Sequence, residues 1–123
     1  MASHNDFGKL AEELATKFLA EKGYKILVKN YRYLKAEIDI IARFDNKIIV
    51  VEVKARATDA FMLPQETINK KKIRLIVSAA NHFSEEYEED LETRFDIISI
   101  LPNHLGQLEI THIEDAFEAF DAN

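Results

Sequence analysis

Hydrophobic and polar positions along the chain predict two helices and five strands. Apolar residues recur every three or four positions in residues 6–21 and 64–83, the period of an amphipathic helix. Five segments alternate or run apolar over strand lengths: residues 24–30, 36–43, 47–55, 95–101 and 108–113. The third and fourth strands are joined through a helix, which favours parallel pairing. The pattern therefore predicts an α/β fold, with a mixed sheet flanked by helices.

The second and third strands carry charged residues that alternation should place on one face. If Asp45-Asn46 forms a two-residue hairpin turn, Phe44 pairs with Lys47, and counting back sets Asp39 opposite Glu52. The same register sets Glu37 opposite Lys54. Directly opposed side chains on one face lie about 4.5–5.5 Å apart at Cβ. Two carboxylates that close repel each other unless a positive charge lies between them.

A divalent cation is a natural partner for this pair, since hard ions such as Mg²⁺ prefer oxygen ligands. Asp39 and Glu52 would then be the metal ligands, and Lys54 could orient or deprotonate a water molecule. Glu37 could hold Lys54 by a salt bridge. Glu12, at the border of the apolar face of the first helix, could complete the site. Alternatively, these charges are the solvent face of an amphipathic sheet, whose cross-strand pairs contribute only tenths of a kcal/mol.

Composition limits the class of protein. The 123 residues suffice for one domain, 1–123, and 47% of them are hydrophobic, as in globular chains. With no cysteine, disulfides and a thiolate nucleophile are excluded. No membrane-length apolar run or signal-peptide pattern occurs, so we expect a cytoplasmic protein without a membrane partner.

The charge is unevenly distributed. The net charge is −6, yet residues 17–74 hold 14 of the 16 Lys and Arg and only 7 of the 22 Asp and Glu. Such asymmetry indicates a basic working surface, although surface charge also varies without function. Positive side chains that could contact phosphates, or could simply be solvated, are Arg32, Arg56, Lys70, Lys71 and Lys72.

Several short motifs stand together in this chain. Asp39 and the triplet Glu52-Val53-Lys54 resemble the PD-(D/E)xK nuclease superfamily. More closely, the chain resembles the YraN-like family of small bacterial predicted endonucleases, which is similar to archaeal Holliday-junction resolvases. The resemblance covers most of the chain and rests on residues 8–15, 23–27, 30–32, 36–42, 51–56, 64 and 94–98.

The resemblance implies a restriction-endonuclease-like αβββαβ core and Mg²⁺ or Mn²⁺ as cofactor. It places the nuclease positions at Glu12, Asp39, Glu52 and Lys54, and it implies a branched or junction DNA substrate, which would suit a homodimer. Three positions depart from the family pattern, because Ala11, Ala36 and Met62 stand where the family usually has glycine. These departures concern loop geometry and substrate fit more than the charged residues.

The sequence therefore predicts a metal-dependent DNA endonuclease. Two alternatives from other classes stay open, namely a non-catalytic nucleic-acid-binding module of the same fold and a protein-interaction domain.

Overall fold

A computed structural model of the chain describes residues 4–56 and 68–122, which form two α-helices, five strands and a short 3-10 helix. In chain order the elements are α1 (His4–Glu21), β1 (Lys25–Tyr33), β2 (Ala36–Phe44), β3 (Lys47–Ala55), α2 (Lys70–Glu86), β4 (Glu92–Pro102), β5 (Leu108–Phe117) and the 3-10 helix Ala119–Ala122. The predicted αβββαβ core is confirmed.

The strands form one mixed sheet in the order β1-β2-β3-β4-β5. The pairs β1–β2, β2–β3 and β4–β5 are antiparallel, whereas β3 and β4 are parallel, as the helical crossover between them predicted. Since β3 lies in mid-sheet, both of its faces are covered. Ile48 and Val50 pack with α2, while Ile49 and Val51 pack with α1. The helices therefore lie on opposite faces of the sheet.

The α1 helix ends where glycine permits it. Gly23 has φ +93°, and its N–H donates to the carbonyl of Ala20, while the Tyr24 N–H donates to the carbonyl of Leu19. This pair of hydrogen bonds is a Schellman motif, which satisfies two carbonyls at the helix end. It turns the chain directly into β1 and fixes α1 over its face of the sheet.

Element boundaries differ from the sequence prediction at α2. The helix begins at Lys70 and not at residue 64, because Asn69 is extended (φ −92°, ψ 172°) and its side chain caps the Lys72 N–H. Ile68 is buried but precedes the helix. The predicted loop at residues 57–63, with Pro64 and Met62, lies outside the described residues. Strands β1, β4 and β5 also run farther than predicted, because their ends are paired with neighbouring strands.

A buried polar cluster lies on the α1 face, between β4 and β5. Asp96 has no exposed surface, and it accepts hydrogen bonds from Arg94 at 2.9 and 2.8 Å and from the Asp115 N–H at 3.0 Å. His112 Nε2 lies 2.7 Å from the same carboxylate. Burial alone would raise the pKa of Asp96, but these partners together lower it. We assign this cluster a structural role, since it joins the two strands.

Neither α1 nor α2 is both long and apolar enough to cross a membrane.

Candidate active site

The β2–β3 hairpin brings the predicted metal ligands together. Asp45 and Asn46 have φ values of +52° and +58°, the geometry of a two-residue type I′ turn, and Phe44 pairs with Lys47 as predicted. The paired register continues to Ile40 and Val51 and stops there. The next positions along each strand are Asp39 and Glu52, so the two acidic side chains lie where the ladder ends.

Asp39 occupies the gap that opens between the strands. Its Oδ2 accepts a 2.8 Å hydrogen bond from the N–H of Val53, in place of a backbone carbonyl. On the other side of β2, Asn30 of β1 has φ +54° and is unpaired with Asp39. The core residues of β2 also change faces here, because Ile38 packs on the α2 side and Ile40 on the α1 side. Asp39 is therefore accessible to side chains from both helices.

Glu52 is the most unusual group of the site. It is 3% exposed, and its Oε1 is fully buried without a hydrogen-bond partner among the described residues. Burial and then the charge of Asp39 raise the pKa of Glu52 to about 7. Buried carboxylate oxygens are normally paired or bound to a cation, because leaving them unsatisfied costs about 1–3 kcal/mol or more. A buried acceptor without a partner therefore lies at the end of β3.

Two lysines approach the carboxylates from the α2 face. Lys72 Nζ lies 3.6 Å from Glu52 Oε2, and Lys72 also interacts with Lys54, two residues beyond Glu52 on the same face. Burial and the neighbouring Lys72 lower the pKa of Lys54 to about 8. Burial opposes the charged form of Lys72 as well, but its hydrogen bond with Lys54 and the carboxylates outweigh this and raise its pKa. Lys72 therefore holds the charge, and Lys54 is the amine that loses its proton more readily.

Glu12 reaches the site from α1. Burial, followed by the charge of Asp39 and a hydrogen bond with it, raises the pKa of Glu12, while the same hydrogen bond acts to lower that of Asp39. This hydrogen bond therefore favours the protonated form of Glu12 and the charged form of Asp39. The pKa of Asp39 is still raised, because burial outweighs the Val53 N–H, Glu12 and the two lysines. The sequence expectation that Glu12 could join the site from the helix border agrees with this placement.

The cavity beside these side chains has a volume of about 550 Å³ and lies between the start of α2 and the ends of β2 and β3. Lys54 is not part of its lining and adjoins it through Lys72. Its lining includes the acidic residues Glu12, Glu37, Asp39 and Glu52 and the basic residues Lys35, Lys71 and Lys72. A larger cavity of about 720 Å³ lies at the opposite end of β3, near Lys47 and Phe117. The acidic side chains that line the larger one are all exposed, whereas the smaller one contains the buried Glu52, so the smaller cavity is the candidate active site.

Glu37 does not hold Lys54 as the hairpin register suggested. The β2–β3 ladder has ended before these positions, and Glu37 forms an ion pair with Arg32 across β1 and β2 at 3.5 Å. Both side chains are largely exposed, so this pair adds little stability. Glu37 still lines the cavity, and its charge contributes to the raised pKa of Glu12.

The residues present fit a hard divalent ion. Within residues 4–56 and 68–122, no group of three or more His, Cys, Asp and Glu side chains converges closely enough to form an all-protein metal cage. Mg²⁺ does not require one, since it commonly keeps several waters and binds through one or two carboxylates plus substrate phosphate. Asp39 and the unpartnered Oε1 of Glu52 supply two carboxylates of this kind.

The predicted phosphate-contacting residues have different locations. Lys70 and Lys71 are exposed in the first turn of α2, and Lys71 lines the cavity, whereas Lys72 turns inward. Arg56 follows β3, where its N–H donates to the Ile100 carbonyl at 3.1 Å, and its side chain is half-buried. Arg32 is exposed on β1. The structure therefore brings Lys71 and Lys72 of α2 to the cavity, whereas Lys70, Arg32 and Arg56 are not part of its lining.

Sequence reasoning missed Asn69 and Lys35. Asn69 caps α2 and lines the cavity, so it positions Lys72 at the Glu52 side chain. An Asn before a run of lysines is a recognisable N-cap signal. Lys35 lies in the turn between β1 and β2, and its position over the cavity depends on the twist of this hairpin, which has no signature in the local sequence.

Fold and site together define a class: a small α/β protein with a five-stranded mixed sheet, two flanking helices and a buried carboxylate–lysine cluster at the sheet end. The sequence model of the Uncharacterised protein family UPF0102 matches residues 11–100 of this chain. Over 98% of this chain, it is 52% identical to the full-length UPF0102 protein of Christiangramia forsetii and 46% identical to that of Flavobacterium psychrophilum. The chain belongs to the UPF0102 family, which confirms the YraN-like resemblance seen in the sequence.

Proposed function

We propose that this protein is a divalent-metal-dependent endodeoxyribonuclease that hydrolyses phosphodiester bonds. The observation that carries the proposal is the buried, unpartnered Oε1 of Glu52, next to Asp39 and facing an open cavity. Burial raises the pKa of both carboxyl groups, and carboxylates with pKa values shifted in this way cluster at functional sites. An Mg²⁺ or Mn²⁺ ion fits this charge and these oxygen ligands.

Asp39 and Glu52 would hold the ion, which when bound supplies Lewis acidity toward a phosphoryl oxygen and lowers the pKa of bound water. Lys54 would accept a proton from the attacking water, or hold that water in place, because its lowered pKa makes the neutral amine accessible near pH 8. Lys72 would remain charged and stabilise negative charge on the phosphate. Glu12 would assist through its hydrogen bond with Asp39.

The surface around the cavity suits a DNA backbone. Lys35, Lys70 and Lys71 are exposed at or near its opening, and phosphate contacts need positive charge without a particular sequence. Arg32 and Arg56 are further candidates for such contacts. The sequence resemblance adds two parts to this proposal, both to be tested. The substrate would be junction or branched DNA, and the assembly would be a homodimer.

The second candidate is a DNA-binding module without catalysis. The ion pair of Lys72 with Glu52 favours it, since this contact neutralises part of the buried charge without any metal. A protein of this kind would keep the fold and the basic rim, and it would bind DNA in a salt-dependent manner.

A cleavage assay combined with a metal-binding assay separates these functions. Flap, four-way junction, single-stranded and duplex DNA would be incubated with Mg²⁺, Mn²⁺ or chelator, and Mn²⁺ binding would be followed by calorimetry. We expect metal-dependent cutting that Asp39→Asn removes, together with loss of Mn²⁺ binding. Absence of cutting on every substrate, with DNA binding retained, would assign the non-catalytic module. Absence of salt-dependent DNA binding would instead favour a protein-interaction domain.

A further inference from the structure

A second, apolar groove adjoins the candidate active site. It has a volume of about 400 Å³, within the range of roughly 300–1,000 Å³ typical of small-ligand pockets, and its lining surface is almost wholly apolar. The residues that line it are Tyr33, Leu34, Lys35, Ala36, Leu75 and Ser78. Lys35, Ala36 and Leu75 also line the carboxylate cavity, so the two spaces lie side by side.

Leu34 stands out at the edge of this groove. It is 84% exposed, the largest exposed fraction among the exposed large hydrophobic side chains of the described residues. It is also at φ +55°, in the two-residue turn between β1 and β2. Gly, Asn and Asp are the favoured residues at positive φ in such turns, and the β2–β3 turn of this protein uses Asp45-Asn46. A bulky leucine at this positive φ therefore carries a cost in backbone strain.

Neither folding nor core packing explains why leucine occupies position 34, so its strained backbone conformation points to a function. A large aliphatic side chain at the tip of a hairpin can enter between base steps and unstack them, as wedge residues of DNA-bending proteins do. Tyr33, beside it, is held by stacking on His82 of α2, with ring centroids 4.0 Å apart and planes 13° apart. The aromatic wall of the groove is thus already ordered before any ligand binds.

The charge around the groove identifies the kind of ligand. The exposed Lys35 lines both groove and cavity, and the exposed Lys71 lines the cavity, while the groove itself offers few polar partners. A ligand that matches both features has an apolar, flat part beside a phosphate. A nucleobase that is not paired in a duplex has this chemistry, since every base presents an apolar face for packing.

We propose that this groove receives an unpaired nucleobase of the DNA strand whose phosphate enters the carboxylate cavity, and that Leu34 is the wedge that keeps this base out of the stack. The inference deepens the proposed function and rests on it, because it names the substrate as DNA with an unpaired nucleotide beside the cleaved bond. Unstacking an already unpaired base costs less free energy than opening a base pair, so such DNA is favoured over a continuous duplex.

The test measures binding without cleavage. Duplexes with and without a single bulged 2-aminopurine would be titrated by fluorescence anisotropy in Ca²⁺, which takes oxygen ligands as Mg²⁺ does. We expect the wild-type protein to bind the bulged duplex at least tenfold more tightly, with a change in 2-aminopurine fluorescence on binding. Leu34→Asn should bring the affinity ratio close to one. The matched control is Leu105→Asn, because Leu105 is 69% exposed in the turn between β4 and β5, and it should keep the ratio.

Leu34→Asn should also fold at least as well as the wild type, because asparagine tolerates positive φ, so loss of preference cannot be attributed to unfolding. Equal affinity of the wild type for both duplexes, or a ratio unchanged by Leu34→Asn, would overturn the inference. If Leu34→Asn instead converts a dimer to a monomer in sedimentation without changing the ratio, a second copy covers the groove and the inference is also wrong.

Parallel cleavage assays in Mn²⁺ distinguish the inference about the groove from the proposed hydrolysis. Cleavage without preference for the bulged duplex would support hydrolysis and overturn the inference about the groove. Preferential binding of the bulged duplex without cleavage would overturn only the proposed hydrolysis.

Discussion

The N–H of Val53 donates a 2.8 Å hydrogen bond to Oδ2 of Asp39, at the point where backbone pairing between β2 and β3 stops. A side-chain carboxylate has replaced a main-chain carbonyl as the acceptor. This contact fixes Asp39 between the strands, directly beside the position from which Glu52 points to the α2 face. The end of the ladder and the candidate active site are consequently one structural feature.

Lys54 should be essential for cutting and dispensable for binding. Replacing it with alanine removes the amine whose pKa is lowered to about 8, so the cleavage rate should fall by about 10²–10⁴-fold, the usual contribution of a general base. Initial rates of DNA cleavage in Mn²⁺ and DNA affinity in Ca²⁺ would be compared. Lys47→Ala, on the same strand but at the other cavity, is the matched control. Unchanged cutting by Lys54→Ala would refute the role assigned to this lysine.

Removing the charge of Glu52 should stabilise the protein at alkaline pH. Its pKa is raised from 4.5 to about 7 by folding, so the destabilisation is absent below pH 4.5, grows up to pH 7 and is complete above it. At about 1.4 kcal/mol per pKa unit, Glu52→Gln should raise the free energy of unfolding by on the order of 3 kcal/mol at pH 8. At pH 4.5 the gain should be small. Urea titrations at both pH values measure this.

The exposed Glu13 provides the control for that experiment. Glu13→Gln should change the free energy of unfolding by less than about 0.5 kcal/mol at either pH, as surface substitutions usually do. A Glu52→Gln protein less stable than the wild type at pH 8 would show that the lysines already compensate the buried charge fully, contrary to the raised pKa.

Metal affinity should increase with pH up to neutrality. Glu52 must lose its proton to bind a cation, and its pKa is about 7 without the ion. Mn²⁺ affinity measured by calorimetry should therefore rise by up to about tenfold per pH unit below pH 7 and then level off. Mn²⁺ should likewise raise the melting temperature more at pH 8 than at pH 5.5, because only the folded chain assembles the site. Affinity that is constant from pH 5.5 to pH 8 would exclude Glu52 as a ligand.

The exposed lysines of α2 should set the salt dependence of DNA binding. Each phosphate contact contributes a slope of about −0.9 to the plot of log affinity against log salt. The double variant Lys70→Ala/Lys71→Ala should reduce the magnitude of this slope by about two, while the preference among DNA shapes persists. Lys17→Ala/Lys25→Ala changes two exposed lysines away from the cavity and should leave the slope as it is. Equal slopes for all three proteins would remove Lys70 and Lys71 from the DNA interface.

Asp96 should matter for stability and not for chemistry. In Asp96→Asn the partly buried Arg94 loses its nearest charged partner and keeps only the more distant Glu114, and breaking a buried pair typically costs about 3–5 kcal/mol. Because the pKa of Asp96 is lowered on folding, the wild-type contribution is present above pH 3.8 and is lost as the pH falls below it. Urea unfolding at pH 7 and pH 3 measures both effects. A variant with wild-type stability at pH 7 would mean that the cluster is not what joins β4 to β5.

Local patterns in the sequence determined much of the site as well as the elements. The turn residues Asp45-Asn46 fixed the hairpin register, because both tolerate positive φ, and this register carried Asp39 and Glu52 to adjoining positions. The bounds of β3 followed from its apolar run, and its parallel pairing with β4 followed from the intervening helix. These are short-range consequences of backbone conformation, and one sequence is enough to reveal them.

Only the tertiary structure could decide where each strand pair ends and which side chains meet there. The β2–β3 ladder stops before Glu37 and Lys54, so Glu37 pairs with Arg32, and the pairing expected from register alone is wrong. Lys72 reaches Glu52 because Asn69 starts α2 later than the apolar period suggested. Burial of Glu52 and the shifted pKa values of Glu52 and Lys54 arise from packing among segments distant in sequence, and desolvation is a property of that assembled environment.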